Sequence, residues 1–154
     1  MKDLDELVKL LKKRIIGAQS VSSFVELLKN YEGNDWQNYL VYSTENYYRN
    51  IVYGCEDFDL IVISWDCMQR SKVHSHPSKG CLVKILSGAL VESLYESNLD
   101  GKDLKIISTT EHQIGNVGYI DDIRGYHNIA NTSEDQRAAS LHLYSPGNYI
   151  PNYF

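Results

Sequence analysis

Residues 73–95 read VHSHPSKGCLVKILSGALVESLY, and the rest of the chain is organised around them. Successive side chains of an extended strand point to opposite faces. His74 and His76 are two residues apart, so they present both imidazoles to one side. A single metal ion could bind both rings there. The spacing is also compatible with two incidental histidines, so a metal site needs support from the rest of the chain.

The residues around this pair predict a fold made mainly of β-strands. An apolar segment from Cys81, a glycine at Gly88 and an alternating segment from Leu90 read as strand, tight turn and strand. Turn signals such as Asp100-Gly101 separate further short strands, as in a β-sandwich or barrel. The predicted strands are residues 47–53, 60–65, 81–86, 90–95, 104–109, 118–120, 126–131 and 137–144.

The N-terminal part of the chain is predicted to be helical. Apolar residues recur at helical spacing over residues 4–16, which indicates an amphipathic helix. A second helix begins near Ser20 or Ser22, either of which can cap it, and ends before Glu32-Gly33-Asn34. We expect one domain over residues 1–154, with a helical part at about 1–34 and a small β-barrel at about 45–146. The helices should pack outside the barrel.

Length and charge limit the classes of function. The 154 residues fit one domain, and a net charge of -5 without a clustered basic stripe argues against nucleic-acid binding. No apolar stretch approaches the roughly 18 residues that span a bilayer, and the charged N-terminus lacks the apolar segment of a signal peptide. We expect a cytoplasmic monomer that binds a small neutral or zwitterionic ligand and neither nucleic acid nor membrane.

The three cysteines do not predict a disulfide framework. Cys55, Cys67 and Cys81 are odd in number and lack C-x-x-C spacing, which also argues against a thiolate zinc site. Cys81 can be explained as a buried small hydrophobic residue, the usual environment of a free cysteine. Cys55 and Cys67 receive no functional assignment.

The central stretch resembles the first metal-binding motif of the cupins, H-x-H-x(3,4)-E-x(6)-G. Cys81 stands where most cupins carry glutamate. His127 and Asn131 form an H-x(3)-N pattern similar to the core of the second cupin motif, which adds a third imidazole. Three neutral imidazoles leave half an octahedron open, an arrangement that suits Fe(II). Three-histidine sites also bind zinc, so the ligands alone leave both metals open, and the resemblance implies iron.

A narrower resemblance extends over residues 36–146. Cys81 in place of glutamate, the segment SLHLYSP at 140–146 and the segment YYRN at 47–50 together are similar to the cysteine dioxygenases. This resemblance implies a small cupin-type jelly roll and an Fe(II)-dependent enzyme. Its substrates would be L-cysteine and O2, and its product cysteine sulfinic acid.

The resemblance also implies a substrate-binding pair. Without it, Arg49 reads as an ordinary surface arginine. The matching segment implies that Arg49 binds the carboxylate of the substrate and that Tyr47, on the same strand face, assists. A planar guanidinium suits this role because it can grip a carboxylate through two parallel hydrogen bonds.

The resemblance also implies a role for the polar face of the last predicted strand. Ser140, His142 and Tyr144 alternate with apolar residues and therefore share one face, which would be unremarkable on an exposed strand. The resemblance implies a hydrogen-bonded relay that ends with the Tyr144 hydroxyl over the iron site. It also implies a thioether crosslink between Cys81 and Tyr144. Outside these roles, Trp65 is predicted to be a core aromatic and His112 a solvated histidine at a strand end.

Three other functions remain open from the sequence. A dioxygenase for another small thiol, such as 3-mercaptopropionate, is the nearest, although relatives with that preference tend to replace the arginine by glutamine. A non-catalytic cupin could bind a metal or ligand, but the relay would then have no purpose. A zinc cupin isomerase would normally keep the glutamate that Cys81 replaces.

Overall fold

The computed structural model describes residues 1–96 and 103–154. The N-terminal part contains two α-helices, α1 (Leu4–Arg14) and α2 (Val25–Lys29), and two 3₁₀ segments, Val21–Phe24 and Asp35–Tyr39. The carboxylate of Asp3 accepts a hydrogen bond from the backbone N–H of Glu6 and so caps α1. These elements confirm the predicted helical region, with the second helix divided into a 3₁₀ and an α-helical turn.

Eight β-strands form two antiparallel sheets. The first sheet has five strands in the order β1-β2-β8-β3-β6, and the second has three in the order β5-β4-β7. The strands are β1 (Tyr48–Gly54), β2 (Asp59–Trp65), β3 (Cys81–Ser87), β4 (Leu90–Tyr95), β5 (Ile106–His112), β6 (Val117–Ile120), β7 (Tyr126–Ala130) and β8 (Ala138–Tyr144).

The five-stranded sheet is covered on its outer face by the helices. One buried cluster joins the apolar stripe of α1 to strand residues that point outward. Strand alternation explains this layer, because every second side chain of β2 and β8 faces the helices. The strand members of the cluster are Leu60, Val62, Leu82, Ala139, Leu141 and Leu143.

The two sheets pack against each other through a second buried cluster. It combines residues of the five-stranded sheet with Leu90 of β4 and Ile129 of β7. Gly88 lies in the connection where the chain leaves β3 in one sheet and enters β4 in the other. Its φ is 67°, and a Cβ there would lie 2.7 Å from the carbonyl oxygen of Arg137, so glycine is required.

The structure confirms a mainly β jelly roll with helices packed outside, formed by two facing sheets and not by one closed barrel. The predicted strand 104–109 lies later, as β5 (Ile106–His112), because its pairing with β4 places His112 opposite Leu90. The predicted turn at Asp100-Gly101 is outside the described residues. Among the described residues, no helix has the length and apolarity to cross a membrane.

Candidate active site

Three histidines meet between the two sheets. His74 and His76 lie in the extended segment before β3, and an isolated bridge joins His74 to His127 of β7. One ring nitrogen of each histidine lies within 4.8 Å of those of the other two. The side chains are nearly inaccessible, since the three residues are 9%, 3% and 1% exposed in that order. The fold thus brings together the histidines that the sequence analysis selected as metal ligands.

Each imidazole is oriented by an acceptor at its Nδ1 atom. His74 donates from Nδ1 to the carbonyl oxygen of Lys72 at 2.8 Å. His127 donates to the carboxylate of Glu92 at 2.7 Å, and His76 lies 3.2 Å from the carboxylate of Asp122. A neutral imidazole that carries its proton on Nδ1 has a lone pair on Nε2. Acceptors of this kind fix the tautomer and orientation of metal-ligating histidines in general.

The Nε2 atoms lack the partners that such buried groups normally have. Nε2 of His76 is buried and has no hydrogen-bond partner within the described part of the chain. Nε2 of His74 and Nε2 of His127 lie only 3.2 Å apart, with two lone pairs facing each other when both protons are on Nδ1. A shared cation resolves both problems, because it accepts all three lone pairs. The residues therefore fit a metal ion.

Burial keeps two of these histidines neutral and able to bind a metal. It lowers the pKa of His74 to about 3, and repulsion by His127 adds to this effect. Burial also lowers the pKa of His76, against the hydrogen bond with Asp122 that raises it. Since metal binding requires an unprotonated imidazole, neither residue has to lose a proton near neutral pH.

Strand β8 directs a polar chain toward the same space. The hydroxyl of Ser140 lies 2.8 Å from Nε2 of His142, and Nδ1 of His142 lies 3.1 Å from the hydroxyl of Tyr144. The indole N–H of Trp65 donates to Ser140 at 2.9 Å, which leaves the serine proton for His142. Trp65 is buried, as predicted, but it also extends the polar chain by one residue.

The hydrogen bonds of this polar chain all run in one direction, from Trp65 to Tyr144. Burial lowers the pKa of His142 well below its usual value and raises the pKa of Tyr144 well above its own, so both groups are neutral at physiological pH. With Nε2 of His142 accepting from Ser140, Nδ1 carries the remaining proton and donates to the Tyr144 oxygen. The hydroxyl proton of Tyr144 is therefore directed away from His142.

Cys81 lies beside the end of this chain. It is the Cα partner of Tyr144 across β3 and β8. Burial raises the pKa of the Cys81 thiol, and a hydrogen bond with Tyr144 opposes the rise. The thiol thus stays protonated at neutral pH, next to the phenol that the sequence analysis paired with it.

Arg49 and Tyr47 border the cavity at its outer side. The cavity is also bordered by His74, His142 and Tyr144. The guanidinium carbon of Arg49 lies 5.6 Å from the centre of the Tyr144 ring, and no carboxylate among the described residues forms an ion pair with it. Tyr47 stacks on Trp65 with ring centres 4.7 Å apart. An exposed cation therefore lies at the mouth of the cavity and can attract an anionic group.

Comparison with known proteins agrees with the resemblance to the cysteine dioxygenases that the sequence indicates. The family model for cysteine dioxygenase type I matches residues 2–153. The chain belongs to the cysteine dioxygenase type I family. One family member, cysteine dioxygenase type 1 of Rattus norvegicus, is 32% identical over 149 residues, which cover 93% of this chain and 74% of the rat protein. The Homo sapiens protein of that name is 30% identical with the same coverage.

Solved structures support the fold assignment beyond the cysteine dioxygenase family. A double-stranded beta-helix protein from Klebsiella pneumoniae superposes with a TM-score of 0.61 at 16% identity, covering 77% of this chain and 92% of that chain. At this identity the likeness concerns the fold alone. It agrees with the two facing sheets described above.

Several residues of the site were not found from the sequence. Glu92 receives no functional assignment from the sequence, although alternation along β4 indicates that its side chain faces away from that of Val91. Asp122 lies in a loop and carries no periodic signal. His112 was expected to be solvated, but this was wrong: it is half-buried, and its Nε2 lies 3.3 Å from Glu92. Pairing of β4 with β5 explains the difference, because it places these side chains within reach of each other.

Proposed function

We propose that the protein is a cysteine dioxygenase that oxidises the thiol of L-cysteine with O2 to cysteine sulfinic acid. Family membership supports a dioxygenase function. The observation that carries the substrate assignment is the shared cavity, which places His74 of the histidine cluster, the unpaired cation Arg49 and the hydroxyl of Tyr144 around one space. A small thiol that also carries a carboxylate matches these three groups.

We infer that His74, His76 and His127 hold Fe(II). An ion bound by three neutral imidazoles retains open coordination positions, where it would bring the thiol sulfur and dioxygen together. The site suits this ion because its three Nε2 lone pairs converge and none of its ligands carries charge. The net reaction adds both atoms of O2 to sulfur, so that R–SH and O2 give R–SO2H without another reductant.

The protein's own groups orient the substrate. Arg49 would hold the carboxylate through paired hydrogen bonds, which fixes direction as well as position. Tyr47, packed on Trp65, forms the adjoining wall of the cavity. Holding the amino acid at its carboxylate end leaves the thiol free to point toward the histidines. Positioning of this kind accounts for a large part of catalysis when two reactants must meet.

The polar chain of hydrogen bonds that begins at Trp65 and ends at Tyr144 would order the inner side of the cavity. Because His142 donates to the Tyr144 oxygen, the phenol can present its proton to an oxygen atom of the reacting group. Both residues are buried and neutral, so this hydrogen bond is maintained without a change of charge. A fixed donor of this type stabilises negative charge as it develops on oxygen.

The alternatives receive less support from the site. For 3-mercaptopropionate, Arg49 could still bind the carboxylate, so the choice of thiol depends on comparative activity. A non-catalytic cupin would not need a buried polar chain directed at the cavity. The three cysteines are free thiols, which agrees with a reducing compartment such as the cytoplasm, where we place the protein.

Metal analysis combined with oxygen uptake tests the proposal. Purified protein should contain about one iron per chain, and L-cysteine should be consumed with one O2 to give the sulfinate. A panel of L-cysteine, 3-mercaptopropionate and cysteamine separates the possible substrates. Faster oxidation of 3-mercaptopropionate than of L-cysteine would contradict the substrate assignment, and zinc without oxygen uptake would contradict the reaction.

A further inference from the structure

Residues 148–154 run alongside the segment that carries His74. The backbone N–H of Ser75 donates to the carbonyl of Asn152 at 3.0 Å, and that of Phe154 donates to the carbonyl of Val73 at 2.9 Å. These bonds place Tyr153 directly opposite His74 in an antiparallel bridge. Opposite residues of an antiparallel pair project their side chains to the same side. Tyr153 therefore lies on the side to which the His74 ring points.

The backbone on both sides of Tyr153 is anchored. The hydroxyl of Ser75 accepts a hydrogen bond from the backbone N–H of Asn152 at 2.9 Å and lies 2.5 Å from the hydroxyl of Tyr149. On the other side, the ring of Phe154 stacks on Tyr126 with centres 4.4 Å apart. Since both neighbours are fixed, Tyr153 is held in place over the cavity.

The ring of Tyr153 forms part of the cavity wall. It borders the same space as Tyr47 and Arg49, and its centre lies 6.2 Å from that of His74. Tyr47 and Tyr153 line the same cavity, and their interaction adds to the burial that raises the pKa of Tyr47. Tyr153 is 51% exposed, with one part of the ring toward the cavity and the rest toward solvent.

We propose that Tyr153 is a specificity-determining residue that restricts the cavity to thiols no longer than L-cysteine. The inference rests on the proposed function. Arg49 would fix the carboxylate at one end and the histidine cluster would fix the sulfur at the other. An additional methylene group between these ends needs more room in the cavity, and the ring of Tyr153 occupies part of the cavity wall. L-homocysteine, which keeps both end groups and adds one methylene, is the matching probe.

Three variants test this role. Tyr153→Ala removes the ring, Tyr153→Phe keeps it without the hydroxyl, and Tyr48→Ala removes an exposed tyrosine of β1 that does not border the cavity. We expect the ratio of kcat/KM for L-homocysteine to that for L-cysteine to rise about tenfold in Tyr153→Ala, as expected for one methylene in a tight site. The ratio should change less than about twofold in the other two variants, and all three should keep the iron content of the parent.

Calorimetric titration of the iron-loaded proteins with each thiol under argon adds a readout that does not depend on turnover. Tighter binding of L-homocysteine to Tyr153→Ala, with L-cysteine binding little changed, supports the assignment. If the parent oxidises L-cysteine, and folded, iron-loaded Tyr153→Ala keeps the same preference for L-cysteine over L-homocysteine, this inference is overturned and the proposed function is not. A parent that neither binds nor oxidises L-cysteine overturns the proposed function and, with it, the role of Tyr153.

Discussion

Cys81 and Tyr144 stand directly opposite each other on neighbouring strands, as Cα partners of β3 and β8. Opposite residues of an antiparallel pair have Cβ atoms about 4.5–5.5 Å apart and point to the same side. Their side chains are buried together, 1% and 7% exposed. The backbone register therefore brings a thiol and a phenol together although 63 positions separate them in sequence, from 81 to 144.

This relationship leads to the prediction of a thioether crosslink in the active enzyme. The sulfur would bond to the ring carbon beside the hydroxyl, with loss of the thiol hydrogen and one ring hydrogen to dioxygen as the oxidant. Fixing the phenol should speed the reaction without being essential to it, because the hydroxyl is already oriented by His142. Intact mass spectrometry after turnover should show a chain lighter by two hydrogens.

Peptide mapping of the same samples supplies the control. One joined peptide should contain both residues, and it should be absent from Cys81→Ser and present in Cys67→Ser. Recovery of Cys81 and Tyr144 only on separate, unmodified peptides from active enzyme would contradict the crosslink. The three-histidine site would not be affected by that result.

Arg49→Gln should impair L-cysteine oxidation mainly by weakening the binding of its carboxylate. Loss of a charged, two-point contact costs on the order of 2 to 3 kcal/mol, or roughly 30-fold to 150-fold in kcat/KM. Arg14→Gln, at the end of α1 and away from the cavity, is the matched control. Cysteamine lacks the carboxylate and should be a poor substrate of the parent. Its turnover at the rate of L-cysteine would show that Arg49 has another role.

Iron binding should depend on each of the three histidines. His127→Ala removes one of three converging nitrogens, and the remaining pair cannot close a stable site, so most of the iron and activity should be lost. Iron per chain, measured by elemental analysis after gel filtration, checks this expectation. An unchanged iron content in His127→Ala would mean that the metal binds elsewhere.

Glu92 should strengthen the metal site through His127. Its carboxylate accepts the Nδ1 proton at 2.7 Å, which orients the ring and makes Nε2 a better ligand. Glu92→Gln keeps an acceptor but loses the charge, so iron affinity should fall about tenfold, and Glu92→Ala should lower it about 100-fold. Competition with a chelator measures both. Glu111→Gln, on the exposed side of β5, should leave the affinity unchanged, and equal affinities in all variants would contradict this role.

The sequence predicted the strands well where alternation was strong. In β8 the polar residues Ser140, His142 and Tyr144 were expected on one face, and the structure places them there, with Leu141 and Leu143 against the helices. Alternation is a local property, so a single strand suffices to reveal it. It could not show that β3 and β4 belong to different sheets, because that depends on how the chain turns at Gly88.

The supporting residues of the site were harder to predict for a related reason. Glu92 and Asp122 act on histidines that are 35 and 46 positions away in sequence, and such contacts follow only from the packing of the two sheets. Tyr153 becomes part of the cavity through its pairing with His74, which no spacing within residues 148–154 indicates. Motif resemblance selects residues by their local spacing, whereas these contacts arise from strand pairing and from the packing of the two sheets.

The buried histidines should make the metal-free protein lose stability in mild acid. Burial lowers the pKa of His142 well below its usual value and lowers the pKa of His74 and of His76 as well. An unfolded histidine has a pKa of about 6.5. As the pH falls below that value, the unfolded chain takes up protons that these native residues refuse, so the free energy of unfolding decreases.

The pH window separates this effect from that of the carboxylates. Hydrogen bonds with His112 and His127 lower the pKa of Glu92 despite its burial, so the ionised carboxylate also stabilises the native state. This stabilisation is lost only when the pH falls to the pKa of an unfolded glutamate, about 4.3, and below. Between pH 7.5 and 5.5, His74 and His142 should therefore each contribute a decrease of about 1.4 kcal/mol, or about 3 kcal/mol together, and His76 adds to the decrease in the same direction. Urea denaturation of the metal-free protein at pH 7.5, 6.5 and 5.5 measures the decrease. His142→Gln replaces one histidine by an uncharged residue, so the slope of the free energy of unfolding against pH should fall by the equivalent of about one proton. Equal free energies of unfolding for the parent at all three pH values would contradict the assignment of neutral, buried imidazoles.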